Sequence, residues 1–303
     1  MKIAVYLATM AKWSILLLCL ALNVTAFAQV AKPAQKIVTT DWTIAETLLA
    51  IDAPLVGLGD KKQYDIWVNT PVAGDAVIDL GSRAQPNQEA LINLKPDHLI
   101  NATWLQNILP SSMSTLGIQR SAVDFYTDKG LDWSHLVATT LALGKLVDRE
   151  HNAEQLISDS EQQLAHDRML LTPYQDRSYA VVQFIDSRHL RIYGENSLYG
   201  LVLTQLHLTN AWQKPTNAWG FNQITLLELA QLPANTVLII VKPYPANVAE
   251  KLQQNALWRA LPFHQAKQYR LLPAVWSFGA LPSIKRFSQL LTESITDTHL
   301  ATW

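Results

Sequence analysis

Cysteine is nearly absent from this 303-residue chain. The single one, Cys19, sits in an apolar N-terminal stretch, so the remainder can form no disulfide and can do no thiol chemistry. Glycine is sparse at 11 residues, which implies few mobile loops. Neither sign of charge is in excess, since 24 Lys and Arg against 25 Asp and Glu leave a net −1. That balance argues against nucleic acid as a partner, because its binders carry a clustered basic surplus. The patterns G-x-G-x-x-G, Walker A, G-x-S-x-G, H-E-x-x-H and the EF-hand loop are all missing. The eight histidines form no H-x-H or closely spaced pair, so no local zinc-type site is encoded. A metal site assembled from distant residues, or a carboxylate pair of the glycosidase kind, stays open.

What is present is a globular composition, 49% hydrophobic and 16% charged, with ten tryptophans. Such a length makes two domains or one large one and buries a core without help. Many flat aromatic surfaces point toward ligand stacking.

Residues 1–28 carry Lys2 and Lys12, no acid, an apolar run from Ile15 to Leu22 and then Ala26-Phe27-Ala28. This pattern predicts a cleaved secretory signal peptide. The run is shorter than the roughly 20 residues a membrane span needs, and Leu18 before Cys19 is too large for a lipoprotein signal. Cleavage after Ala28 leaves 303 − 28 = 275 residues at a net charge of 22 − 25 = −3.

Beyond it, Lys36–Thr39 reads as a strand and Thr43 to Glu46 as a capping box opening a helix to about Ile51; Leu55–Leu58 resumes as a strand. Val77–Leu80 is a further strand. Pro86-Asn87-Gln88-Glu89 supplies the N-cap of a helix Ala90–Leu94 that ends at Lys95-Pro96-Asp97, and His98–Asn101 follows as a buried strand. The same order recurs in the second half: Thr225 caps Leu226–Leu232, Pro233 breaks it, and Thr236–Val241 is a strand. From about Asp132 to Leu171 runs the longest helical stretch, free of proline and closed by Pro173, before a strand Tyr179–Phe184. The fold class expected is α/β: two similar lobes, 36–131 and 178–303, bridged by one long helix within 132–172, with a ligand groove between them.

Aromatics cluster beside loop-type residues. Trp67 follows Tyr64-Asp65, Trp104 follows the strand ending at Asn101, Trp219 lies in Asn217-Ala218-Trp219-Gly220, and Trp276 and Phe278 lie in Pro273 to Gly279. In open α/β sheets such loops gather at the carboxyl ends of strands, where ligands bind. Each tryptophan taken singly is as readily a core residue; together they favour a cleft. Arg83, in Gly81-Ser82-Arg83-Ala84, follows a strand and precedes a capped helix, where a lone Arg is usually solvated.

The segments Trp42 to Ala53, Tyr64 to Pro71, Val77 to Asn87, Asp186 to His189, Gly194 to Leu198, Asn210 to Gln213, Asn217 to Gly220 and Pro273 to Trp276 resemble the FhuD-like family. These are periplasmic ferric-hydroxamate siderophore-binding proteins of iron ABC importers. The likeness runs from about Ile37 to Leu291. It implies a rigid fold of two α/β lobes and a shallow aromatic groove. Iron would be held by the siderophore and not by protein side chains, with no other cofactor. It places Arg83 against the hydroxamate oxygens, Trp104 at a position where the family has a tyrosine, Trp67, Trp219, Trp276 and Phe278 as groove walls, and Asn217 as a polar contact. It also implies a docking acid on each lobe for an inner-membrane permease: Glu89 on the first, and on the second Glu228, one step beyond the matched Leu227.

Two departures bear on the ligand. Arg191 stands where the family has a leucine, and Phe221 where it has a serine. A guanidinium in an apolar groove needs a partner or water; Glu195, four residues on, or a ligand carboxylate such as that of a mixed citrate-hydroxamate siderophore would serve. The expectation is therefore a monomeric periplasmic carrier, not an enzyme, that captures ferric hydroxamates for an ABC permease. A haem or cobalamin carrier of the same fold and a secreted siderophore hydrolase are the alternatives.

Overall fold

The first sheet is wholly parallel, with strand order β3-β2-β1-β4-β5. Its strands are Ile37–Thr39 (β1), Leu55–Leu58 (β2), Ile78–Asp79 (β3), His98–Asn101 (β4) and Gln119–Ala122 (β5). β1 and β4 are buried throughout, as central strands of a sheet covered on both faces must be. The strand expected over Val77–Leu80 shrinks to Ile78–Asp79 at the sheet edge, where both residues are exposed. The computed structural model describes residues 35–108 and 117–297, and residues from Gln35 onward pack as one compact unit. The expected signal peptide, 1–28, lies outside the described residues.

The second sheet has six strands in the order β11-β10-β6-β7-β9, with β8 beside β6. They are Ser178–Phe184 (β6), His189–Tyr193 (β7), Thr209–Asn210 (β8), Phe221–Thr225 (β9), Thr236–Val241 (β10) and Tyr269–Leu272 (β11). β6, β10 and β11 run parallel while β7 runs antiparallel to both its neighbours, β6 and β9, so this lobe is mixed where the first is not.

Three local expectations are corrected by the structure. The helix Trp42–Ala50 (α1) is capped by Asp41, whose carboxylate accepts from the Thr43 and Ile44 amides at 2.8 and 3.2 Å. Thr43 and Glu46 form no capping box; both lie inside the helix, turned toward the other lobe. After Thr225, the helix stops at Leu229, because the amides of Ala230, Gln231 and Leu232 each bond three residues back, the tightened turn that precedes Pro233. The bridge is not one rod but two helices, Trp133–Leu146 (α5) and Glu150–Leu170 (α6). Asp148 adopts a left-handed φ of 54° and the Arg149 amide returns to the Gly144 carbonyl at 2.7 Å. The two helices fold against one another at Gly144, where an added Cβ would stand 2.5 Å from that of Ala153.

Helices Lys61–Trp67 (α2), Gln88–Leu94 (α3) and Thr103–Ile108 (α4) follow strands of the first sheet. On the second lobe lie Leu198–Gln205 (α7), Leu226–Leu229 (α8), the short Val248–Gln254 (α9), Ala256–Ala260 (α10) and Pro262–Gln265 (α11), and finally Leu281–Thr296 (α12). α12 packs on α6, α7 and α1. The buried Asp167 of α6 accepts from Ser288 of α12 at 2.5 Å. The main core cluster accordingly runs through both lobes, from Ile37 and Leu48 to Tyr199, Ile239 and Phe287.

Candidate functional site

In the first lobe the site grows from the carboxyl ends of parallel strands, the place the topology of open α/β sheets assigns to ligands. Asp41 and Thr43 follow β1, Arg83 follows β3, Trp104 follows β4 and Tyr126 follows β5. The strand-end loops are locked from below. The Asn101 carboxamide oxygen accepts from Thr39 Oγ1 at 2.9 Å and from the Thr40 amide at 2.8 Å. The Thr40 carbonyl then receives Arg83 Nε at 2.9 Å, while the Arg83 amide bonds Asp60 at 3.0 Å. Held so, the guanidinium lies 4.4 Å above the Trp42 ring and 5.9 Å from that of Trp276. Arg83 is thus half-buried against rings, not a solvated loop residue.

From the second lobe the loop after β11 supplies Trp276 and Phe278, the turn before β9 supplies Trp219, and β9 opens with Phe221. Together these residues line a cleft of about 280 Å³: Asp41, Thr43, Arg83, Trp104, Trp219, Phe221, Trp276 and Phe278. A smaller recess of about 60 Å³ continues it over Tyr126. The rings meet edge to face, Trp276–Phe278 at 5.2 Å, Phe278–Trp219 at 5.5 Å and Trp219–Trp104 at 6.4 Å, the geometry aromatic pairs favour.

The lobes are stitched beneath this floor. Thr43 Oγ1 donates to the Phe278 carbonyl at 2.7 Å and Trp276 Nε1 donates to Thr43 Oγ1 at 3.2 Å. The Glu46 carboxylate accepts from the Ala280 amide at 2.5 Å and from Ser283 Oγ at 2.6 Å. Burial drives the Glu46 pKa up to about 8, against the pull of those bonds. Burial also raises that of Asp41, opposed by the Arg83 charge, and lowers that of Arg83, opposed by Asp41 and Asp60. The hydroxyl of Tyr126, which lines the recess, is pushed well above its ordinary value by burial and donates to the Gly279 carbonyl at 3.5 Å.

Of the expected site residues, Arg83, Trp104, Trp219, Trp276 and Phe278 come together in the cleft. Trp67 and Arg191 do not line it; they border a neighbouring cavity of about 350 Å³, although Trp67 touches Trp276 at 6.3 Å. Asn217 is spent on its own turn: its Oδ1 accepts from the amides of Trp219 and Phe221 at 3.0 and 3.2 Å. Gly220 permits that turn, with a φ of 78° and no room for a Cβ beside Ser197. Glu89 is exposed in the first turn of α3, capped by Asn87. Glu228 is half-buried, its carboxylate accepting from the Thr225 amide at 2.8 Å as a capping-box acid. Glu195 makes no ion pair with Arg191 among the described residues; the guanidinium lies instead 4.9 Å from the Phe221 ring.

Asp41, Thr43 and Tyr126 escape sequence reasoning. The usable signal for Tyr126 is its place after Gln119–Ala122, a polar edge strand whose residues are exposed or half-buried. Among the described residues no three His, Cys, Asp or Glu converge on a metal position, and no helix is long and apolar enough to cross a membrane.

The model of the periplasmic binding protein family matches residues 37–275. The chain is 28% identical over 271 residues to the iron(3+)-hydroxamate-binding protein FhuD of Escherichia coli, spanning 89% of this chain and 90% of that protein. Its fold superposes on the Vibrio cholerae siderophore-binding protein FhuD in complex with Fe3+-Desferal with a TM-score of 0.80, at 26% identity, over 86% of this chain and 97% of that one. Unliganded FhuD2 of Staphylococcus aureus shares the fold at a TM-score of 0.63 and 18% identity, over 86% and 97% of the two chains.

Proposed function

The chain belongs to the periplasmic binding protein family, and from that premise we propose that it captures a ferric hydroxamate siderophore outside the cytoplasm and delivers it to an ABC permease of the inner membrane. One observation carries the reading: a fixed, half-buried guanidinium, Arg83, set among five aromatic rings in a cleft whose other polar lining is Asp41 and Thr43. A ferric hydroxamate presents electron-rich oxygens at the metal and an apolar periphery. The guanidinium is a preorganised fork of donors for the former, and the rings of Trp104, Trp219, Trp276 and Phe278 cover the latter at about 25 cal/mol per Å² of surface removed from water. Iron stays in the siderophore's own cage, with the protein contributing donors and rings.

The name of the Escherichia coli relative, an iron(3+)-hydroxamate-binding protein, and the Fe3+-Desferal complex of the Vibrio cholerae relative support this ligand class. The interlobe bonds of Thr43 and Glu46 favour capture with little lobe movement, since closing or opening the cleft widely would break them. A monomeric carrier, exported by an N-terminal signal and with Glu89 as the permease contact on the first lobe, completes the proposal.

The test is quenching of tryptophan fluorescence during titration with ferric hydroxamates and ferric catecholates. Saturable quenching by a hydroxamate is expected, weakened by Arg83→Ala by about 1.5–3 kcal/mol, the scale of a hydrogen bond to a charged group. No binding of any ferric hydroxamate, or an unchanged affinity in the folded variant, would overturn it.

A further inference from the structure

The cleft has a second room. Next to Trp276, Phe278 and Phe221 lies the cavity of about 350 Å³, bordered by Trp67, Gln183, Phe184, Arg191 and Tyr244. The two rooms are in register: Trp67 meets Trp276 edge to face, and the Arg191 guanidinium lies 4.9 and 5.8 Å from the rings of Phe221 and Phe278, which line the first.

Arg191 projects from β7 opposite Gln183 of β6 and Gln223 of β9. It is the one charged residue bordering this cavity, and among the described residues no carboxylate pairs with it. Gln183 is occupied elsewhere, accepting from the Tyr193 hydroxyl at 3.2 Å and from Ser277 Oγ at 3.4 Å and donating to the Pro243 carbonyl at 3.4 Å. The buried Tyr193 hydroxyl lies within hydrogen-bonding reach of the Arg191 guanidinium, and the buried Tyr199 hydroxyl also feels its charge. A half-buried cation met only by aromatic faces and a neutral hydroxyl lacks a counter-charge, and a carboxylate would meet it with charge-assisted, fork-matched hydrogen bonds.

We propose that this second cavity takes a carboxylate-bearing arm of the ligand, so that the protein selects anionic ferric hydroxamates over neutral ones, with Arg191 as the selecting residue. This rests on the reading that the first cleft holds a ferric hydroxamate. One ligand would then reach both, with hydroxamate oxygens at Arg83 and its acid at Arg191.

The test titrates the purified full chain by tryptophan fluorescence with two probes, a neutral ferric trihydroxamate and the ferric complex of a citrate dihydroxamate with a free carboxylate. The anionic probe is expected to bind the wild type more tightly, with a preference that shrinks as salt rises. Arg191→Leu should lower the ratio of anionic to neutral affinity by about 10- to 100-fold, and Arg191→Gln, which keeps polarity, should lower it similarly, guarding against a misfolded leucine variant. An unaltered ratio in both variants, or a wild type without preference for the acid, overturns the selection while leaving hydroxamate capture intact. Binding of neither probe to the wild type overturns both readings.

Discussion

Replacing Glu46 with Gln tests whether a buried carboxylate clamps the two lobes in its protonated form. Glu46 is fully buried in α1 and its oxygens face the Ala280 amide and Ser283 Oγ at the start of α12. Burial raises its pKa from 4.5 to about 8. Between those two values the folded protein therefore holds a proton that the unfolded chain has lost, so stability falls as pH rises across the window. At about 1.36 kcal/mol per pKa unit, the ceiling on the total change is about 5 kcal/mol. Relaxation and water entry around the ionised group bring the expected change to on the order of 3 kcal/mol. Glutamine keeps the acceptor for Ala280 and an amide for Ser283 but has no proton to lose. Urea unfolding of both proteins at pH 5 and pH 8.5 is the assay. The wild type should match or exceed the variant at pH 5 and should lose on the order of 3 kcal/mol relative to it by pH 8.5. A difference between the two proteins that is flat with pH, or that moves in favour of the wild type, would refute the reasoning.

Trp219 is 41% exposed and Trp276 only 8%, so Trp219→Ala should weaken ferric-hydroxamate binding with little loss of melting temperature. Trp276→Ala should also cost about 3–5 kcal/mol of folding stability; thermal melts run beside the binding titration separate the two. Gly144→Ala should destabilise by about 1–3 kcal/mol through its clash with Ala153 at the break between α5 and α6, read by urea unfolding. Glu89→Ala should leave siderophore affinity intact and abolish transport by the reconstituted permease. Glu228→Ala should lower stability by about 1 kcal/mol through loss of its capping bonds to Thr225; full transport with Glu89→Ala removes the docking role.

Leu55–Leu58, His98–Asn101 and Thr236–Val241 are legible in the sequence with their bounds, because each is a short apolar run between breakers and its signal is local. The aromatic cleft is legible in part: Trp104 and Arg83 sit just beyond strands that local patterns announce, and Trp219, Trp276 and Phe278 stand among loop-type neighbours. The split of the bridging helix was not. Its cause is the close approach of Ala153 to a residue nine positions earlier, with Asp148 turned left-handed between them, and nothing in periodicity forbids a continuous helix there. Nor could the chain alone say that Asn217 and Glu228 are engaged in their own turns, or that Glu46 leaves its expected cap to meet Ala280.

The sequence by itself determined two α/β lobes, an aromatic ligand surface and the lack of any cysteine beyond Cys19, properties fixed by composition and by neighbours a few residues apart. Only the tertiary structure decided that Arg83 rests on Trp42, that Tyr126 floors the recess, and that Arg191 faces a second cavity without Glu195 as its partner. Those facts depend on contacts between residues tens to hundreds of positions apart, such as Thr43 with Phe278. A side chain's charge and exposure there are set by what the other lobe places against it.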